Sequence, residues 1–248
     1  MSNNYLTPVE TAEFVSQLSH TKATMPVLKR FLLSFMAGAY ISLGGQGFLM
    51  LFDNTFLRAA VFPVGLMLII LVGGELFTGN CLMIFGCLNK KIKVSQFASS
   101  IIQVFFGNLV GSLFVVFVVY FGGMYKDGSV LSMSIAAVAN AKVSLSFVEI
   151  LLRGILCNIL VALGVWFAFT AKDTAGRLLG CWFPVMLFVL CGYEHCVANM
   201  FFLPLGMLVD PSISIGSVAM NIIPATIGNL IGGGILIPFV YYFAYKNK

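Results

Sequence analysis

Glu75-Leu76-Phe77-Thr78-Gly79-Asn80 and Gly192-Tyr193-Glu194-His195-Cys196-Val197-Ala198-Asn199-Met200 are two polar segments set inside long apolar runs. Each holds a glutamate followed, five residues on, by an asparagine, and the two glutamates stand 119 residues apart. The neighbourhood repeats as well. Phe62-Pro63-Val64 returns as Phe183-Pro184-Val185, and Gly107-Asn108-Leu109-Val110-Gly111 as Gly228-Asn229-Leu230-Ile231-Gly232, both 121 residues later. Internal similarity at one spacing is the signature of a chain built from two copies of a unit. Gly38 and Gly154, 116 apart, extend the match upstream with little surrounding identity.

The rest of the chain states the solvent. Of 248 residues 60% are hydrophobic and 9% charged, where a soluble domain carries about 25% charged residues; mean hydropathy is +1.01. Six stretches reach the roughly 20 apolar residues that cross a hydrocarbon core: 30–52, 59–88, 97–125, 147–171, 178–209 and 220–245. The fold expected is an all-α membrane protein with six transmembrane helices, residues 30–248 forming this domain and residues 1–29 a separate N-terminal helix at the cytoplasmic interface. Each copy holds three spans, an odd number, so the second enters the membrane from the opposite side and the repeats are inverted.

Lysine and arginine near span ends collect on the cytoplasmic side. With both termini there, that side holds Lys22, Lys29, Arg30, Lys90, Lys91, Lys93, Lys172, Arg177, Lys246 and Lys248, against Arg58, Lys126 and Lys142 outside. This orients a multi-pass inner-membrane protein. No basic and apolar leader with a small-residue cleavage site opens the chain. Thr7-Pro8-Val9-Glu10 has the spacing of a capping box with proline at the first helical position. A short helix therefore starts there, with Val9, Phe14, Val15 and Leu18 turned to the interface or the bundle.

The middle span of each copy runs about 30 residues, too long to stay unbroken, with the interruptions at 73–80 and 192–199. The second and fifth helices are thus broken. Backbone left unpaired at membrane depth is tolerated only inside protein or along a watery cavity, so the two breaks face one another across a pathway. The N-terminal ends of the half-helices beyond them favour an anion.

Five ionisable groups fall within the spans: Glu75, Glu149, Arg153, Glu194 and His195. Each costs about 2.5–3.5 kcal/mol to insert when charged, which makes each a functional candidate. His195 can hand a proton to a weak-acid anion, because imidazole titrates near neutral pH and a neutral acid crosses an apolar gap far more cheaply than its anion. Glu75 and Glu194 are expected to accept hydrogen bonds from backbone N–H groups freed by the breaks, and Glu149 and Arg153, one turn apart, to neutralise each other. Lys142 lies in an apolar loop, 128–146, where a cation would concentrate anions. The cysteines, all in apolar stretches, read as small core residues, with no disulfide, metal or cofactor expected.

The two polar segments closely resemble the signatures of the formate/nitrite transporter family, and the similarity, with Asn158 and Lys142, extends over all six spans. The resemblance implies an aquaporin-like fold, a homopentamer with one pore per protomer, and passage of formate, nitrite or hydrosulfide together with protons. It implies a loop of Leu76, Phe77 and Thr78, with Thr78 beside His195 as central proton donor. It further implies constrictions at Phe62, Leu66, Leu76, Phe77, Val161 and Phe188, a vestibule lysine at Lys142, and lumen contacts from Asn158 and Asn229, with Glu194 also on the substrate pathway. Membrane lipid is the remaining partner, and nucleic acid is not one. Two rival readings exist, a neutral-solute pore and an integral-membrane enzyme using Glu194 and His195; the latter lacks an HExxH pattern or three metal ligands.

Overall fold

The computed structural model describes residues 4–245, so Lys246 and Lys248 of the charge count lie outside the described residues. The chain is helical, with one isolated β-bridge, Tyr5 to Ala171, among the described residues. Helix α1 (Pro8–Ala23) starts at the expected capping box, Thr7 and Glu10 each accepting from the other's backbone. Those Thr7 hydrogen bonds, the backbone one first, hold the Glu10 carboxyl below the usual carboxylate range. Its inward face buries Val15 and Ser19, and Arg30 closes its far end by donating to the carbonyls of Lys22, Ala23 and Met25. Arg30 is therefore a structural cap as well as a basic flank.

Helices α2 (Val27–Met50), α3 (Thr55–Val61) and α4 (Val64–Val72) lead to the first break. Helix α5 (Phe77–Asn80), a 3₁₀ turn (Cys81–Met83) and α6 (Ile84–Leu88) follow it, and then α7 (Val94–Phe121). Beyond come α8 (Val130–Val143), α9 (Phe147–Thr170) and α10 (Thr174–Leu190), the second break, and α11 (Cys196–Val209). Helix α12 (Ile215–Asn229) continues through a π-helical turn (Leu230–Leu236) into α13 (Ile237–Tyr245). Among the described residues five helices are long and apolar enough to cross a membrane: Val27–Met50, Thr55–Val72, Val94–Phe121, Phe147–Thr170 and Ile215–Tyr245. The fifth expected span is instead two shorter apolar helices, Thr174–Leu190 and Cys196–Val209.

Small residues let the long helices touch. A Cβ on Gly111 would sit 1.9 Å from the Phe35 carbonyl oxygen, and one on Gly232 2.1 Å from that of Ile155, so α7 lies directly on α2 and the α12 region on α9. The half-helices beyond the breaks occupy the centre. Cys196, Val197, Asn199, Met200, Phe201, Leu203 and Leu205 of α11 are all buried, as are Phe77, Thr78, Asn80, Cys81 and Leu82. A helix buried on every side is a core element, and here two such elements carry the signature residues.

Three local expectations are corrected. The segment 128–146 holds a helix, α8, started by the Ser129 hydroxyl on the Ser132 N–H and running through alanine-rich sequence. Glu149 makes a capping box with Ser146 (2.7 and 2.8 Å) and is not paired with Arg153: at the first turn of α9 a carboxylate is drawn to the free N–H and hydroxyl of the cap. The Gly38/Gly154 match is one turn out of register, as the hydrogen bonds below show.

Candidate functional site

Each break is shorter than the sequence indicates. The backbone leaves helical geometry at Gly73 and Gly192, whose φ of 107° and 67° suit glycine, and helix resumes at Phe77 and Cys196. Phe77 and Thr78 are therefore the first turn of α5, not loop. The helices restart there because an asparagine from a later helix supplies the missing acceptor. Asn108 Oδ1 accepts the Phe77 N–H at 2.9 Å, and its Nδ2 donates to the carbonyls of Ser34 (2.8 Å) and Glu75 (2.9 Å). Asn229 repeats the arrangement, taking the Cys196 N–H at 2.9 Å and donating to Gly154 (2.8 Å) and Glu194 (2.9 Å). Ser34 and Gly154 are thus equivalent, 120 apart, in place of Gly38 and Gly154.

These bonds bear on two expected lumen contacts. Asn229 is committed to backbone and offers no free donor to a lumen. Asn158 Nδ2 donates to the carbonyls of Asn229 (2.7 Å) and Thr78 (3.2 Å) and so ties the two breaks together, while its Oδ1 has no protein partner. The glutamates do not cap backbone. Glu75 takes Lys22 Nζ at 2.6 Å and Asn80 Nδ2 at 2.6 Å. Glu194 takes Lys142 Nζ at 2.8 Å, Asn199 Nδ2 at 2.7 Å and Asn221 Nδ2 at 3.3 Å. A carboxylate this deep needs a cation as well as neutral donors to offset its lost hydration. Lys142 is therefore half of an ion pair and not a free charge.

Lys22, absent from the expected site, is its counterpart on α1. The signal was present, since Lys22 and Lys142 are 120 apart, inside the spacing of the other repeats. Asn108 and Asn221 were also unassigned; Asn108 lies in the repeated Gly-Asn-Leu motif, whereas Asn221 has no partner in the first copy.

The two clamps sit in two cavities. One, of about 260 Å³, contains Lys22, Glu75 and Asn80, with Leu66, Leu76 and Val165 in its wall. The other, of about 240 Å³, contains Lys142, Glu194, His195 and Asn199 beneath Phe62, Phe188 and Phe202. Between them Ile41, Phe62, Leu66, Leu76, Val161, Val185, Phe188 and His195 enclose a space of about 10 Å³, at the lower limit for one water. Five of the six expected constriction residues meet there. Phe77 does not: its ring packs edge-on against Phe105 at 5.6 Å, because the first turn of α5 points it toward α7. Ile41 and Val185 take part unpredicted; plain aliphatics in apolar helices carry no sequence mark.

His195 is the one polar side chain around that gap. It is 2% exposed and stacks on Phe188 with centroids 5.7 Å apart. The Ala198 N–H donates to its Nδ1 at 3.0 Å, and its Nε2 lies 3.0 Å from Thr78 Oγ1. With Nδ1 occupied as an acceptor, the neutral ring carries its proton on Nε2, directed at Thr78. The site thus consists of two cavities, each holding a lysine–glutamate pair and the second also lined by Arg153, with an apolar gap between them and one imidazole at its edge.

The fold is shared with known proteins. The family model described as formate/nitrite transporter matches residues 9–243. An uncharacterized transporter, YrhG, of Bacillus subtilis is 39% identical over 97% of this chain and 94% of its own length. A probable formate transporter of Methanothermobacter thermautotrophicus is 33% identical over the whole of both. Among solved structures, an FNT family ion channel superposes with TM-score 0.88 at 29% identity, covering 94% of this chain and 98% of its own. A pentameric formate channel with formate bound superposes with TM-score 0.76 at 29% identity over 89% and 98%. These relatives are transporters and channels, which removes the enzyme reading and makes the chain a multi-pass membrane protein. The chain belongs to the formate/nitrite transporter family.

Proposed function

We propose that the chain passes small monovalent weak-acid anions, formate first and nitrite or hydrosulfide by the same chemistry, across the inner membrane with both termini cytoplasmic. In this reading six spans form two inverted three-helix repeats of aquaporin-like arrangement, α1 forms an N-terminal unit on the cytoplasmic face, and five protomers assemble in lipid. The formate-bound pentamer among its relatives supports formate and the fivefold assembly.

The observation that carries the function is the apolar gap of about 10 Å³ between two vestibules that each hold a lysine–glutamate pair, with His195 at its edge. An anion cannot enter such a gap without losing its hydration. A neutral acid can. Because the Ala198 N–H covers Nδ1, a second proton reaches the ring only when that contact opens. The imidazolium then gives its Nε2 proton to the oxyanion, and the protonated acid crosses past Leu66, Leu76 and Val161. Thr78 Oγ1 orients the Nε2–H until the substrate replaces it.

Flux into proteoliposomes tests this. Formate, nitrite and hydrosulfide uptake should rise as the medium is acidified, and His195→Phe should abolish it while the protein still elutes as an oligomer. Unchanged uptake in that variant would remove the proton-donor role, and water flux without anion flux would establish a neutral pore.

A further inference from the structure

Helix α1 has a second face. Val15, Ser19 and Lys22 turn to the vestibule, whereas Glu13 and Ser16 turn to a cavity of about 370 Å³, larger than either vestibule. Its other walls are Phe85 and Lys91, around the end of α6, and Tyr241 and Tyr245 of α13. Neither the family's signature residues nor the transport path reaches it.

Three features of this cavity bear on what it can hold. Ser16 is 2% exposed, yet its hydroxyl has no partner, whereas Ser19 one turn on donates to the Val15 carbonyl at 2.8 Å. A buried unpaired hydroxyl costs about 1–3 kcal/mol unless something occupies the site. Glu13 and Lys91 line the same cavity with opposite charges, and no ion pair joins them. One Glu13 oxygen takes Gln17 at 3.2 Å, and the other has no donor among the described residues. Finally, three aromatic side chains of the wall are held in one stack of contacts, Tyr245 on Tyr241 (5.5 Å), with Tyr241 and Phe85 both against the buried Trp166 behind them (5.1 and 5.5 Å).

We propose that this cavity binds an ammonium–phosphodiester zwitterion, the headgroup of a phosphatidylethanolamine-type lipid. A carboxylate beside aromatic rings is the chemistry that holds an organic ammonium. A lysine beside a buried hydroxyl holds a phosphodiester, the Ser16 O–H donating to a phosphate oxygen. Tyrosines at a helix end mark the level of lipid headgroups.

The test is native mass spectrometry of the delipidated oligomer titrated with phosphatidylethanolamine, phosphatidylglycerol or soluble phosphoethanolamine. Phosphatidylethanolamine should be retained about fivefold more tightly than phosphatidylglycerol, the effect of one interfacial charge. Glu13→Gln should erase that preference, and Lys91→Ala should weaken both lipids; both positions are exposed and the variants should elute as the parent does. Displacement by soluble phosphoethanolamine would mean that the headgroup chemistry suffices and a free zwitterion can fill the site; binding of the lipid alone would make the bilayer its source. Equal retention of the two lipids by the native protein, or a preference untouched by either substitution, would overturn the assignment. None of these readouts depends on flux, so the outcome is separate from that of the transport reading.

Discussion

The two breaks share a scaffold and differ in chemistry. Asn108 and Asn229 hold them with hydrogen bonds of the same lengths, and each vestibule has a lysine on a glutamate that an asparagine also holds. Yet Leu76 stands on one side where His195 stands on the other, and Thr78 where the other has Val197. The first vestibule is walled largely by aliphatic residues, the second by Phe48, Phe62, Phe188 and Phe202. Lys22 reaches both Glu75 and Asn80, while Lys142 holds Glu194 alone and Asn221 supplies the additional donor. What is common to the halves builds a broken helix in a membrane; what differs places one protonatable ring at the gap between them.

The common part should be the most sensitive to loss. Asn108→Ala strips the acceptor from the Phe77 N–H and the donor from the Glu75 carbonyl, and Asn229→Ala does the same to Cys196 and Glu194. Each orphaned backbone group costs about 1–3 kcal/mol, and two together approach the total stability of a small domain, about 5–15 kcal/mol. Both variants should fail to yield a stable oligomer in size-exclusion chromatography, to a similar degree. A well-folded Asn108→Ala beside an unfolded Asn229→Ala would show that the scaffolds are unequal.

The breaks were legible because a glutamate and an asparagine five apart, twice, stand out from apolar sequence. Where the breaks end was not. Helix restarts at Phe77 and Cys196 on acceptors from Asn108 and Asn229, distant in sequence, so no local pattern marks the restart. Lys22 was counted with the cytoplasmic charges because the charge count cannot see which face of α1 packs inward, although its spacing from Lys142 equals that of the repeat. The Ser146-x-x-Glu149 capping box was visible, and the one-turn spacing of Glu149 to Arg153 hid it. Phe77 was misplaced for the same reason as the loop: once residue 77 begins a helix, its side chain points to α7 instead of the path.

The clamps should show the next largest effect. Lys22→Ala or Lys142→Ala leaves a buried carboxylate without its cation, which is costly and sets a bare negative charge in an anion's path. Formate uptake should fall about tenfold in each, and pairing the substitution with Glu75→Gln or Glu194→Gln should recover part of it. Because each lysine is already paired at 2.6 or 2.8 Å, the defect should be the same at low and high salt. A defect confined to low salt would mean that Lys142 acts as a free cation by long-range attraction, as the sequence alone suggests.

Thr78→Val makes the first break match the second, where Val197 stands, and keeps the side chain's volume. It removes the Oγ1 that lies 3.0 Å from His195 Nε2 and leaves the Nε2 proton in place. A net hydrogen bond of this kind contributes about 0.5–1.5 kcal/mol, so uptake should drop about three- to tenfold, well short of the loss in His195→Phe. The reciprocal Val197→Thr puts a hydroxyl in a fully buried site and should lower stability, but it should leave the pH dependence of uptake unchanged, since no imidazole faces it. If Thr78→Val were as inactive as the histidine variant, the hydroxyl itself would pass the proton. If it transported at the parent's rate, the ring's orientation would rest on the Ala198 N–H and the Phe188 face alone.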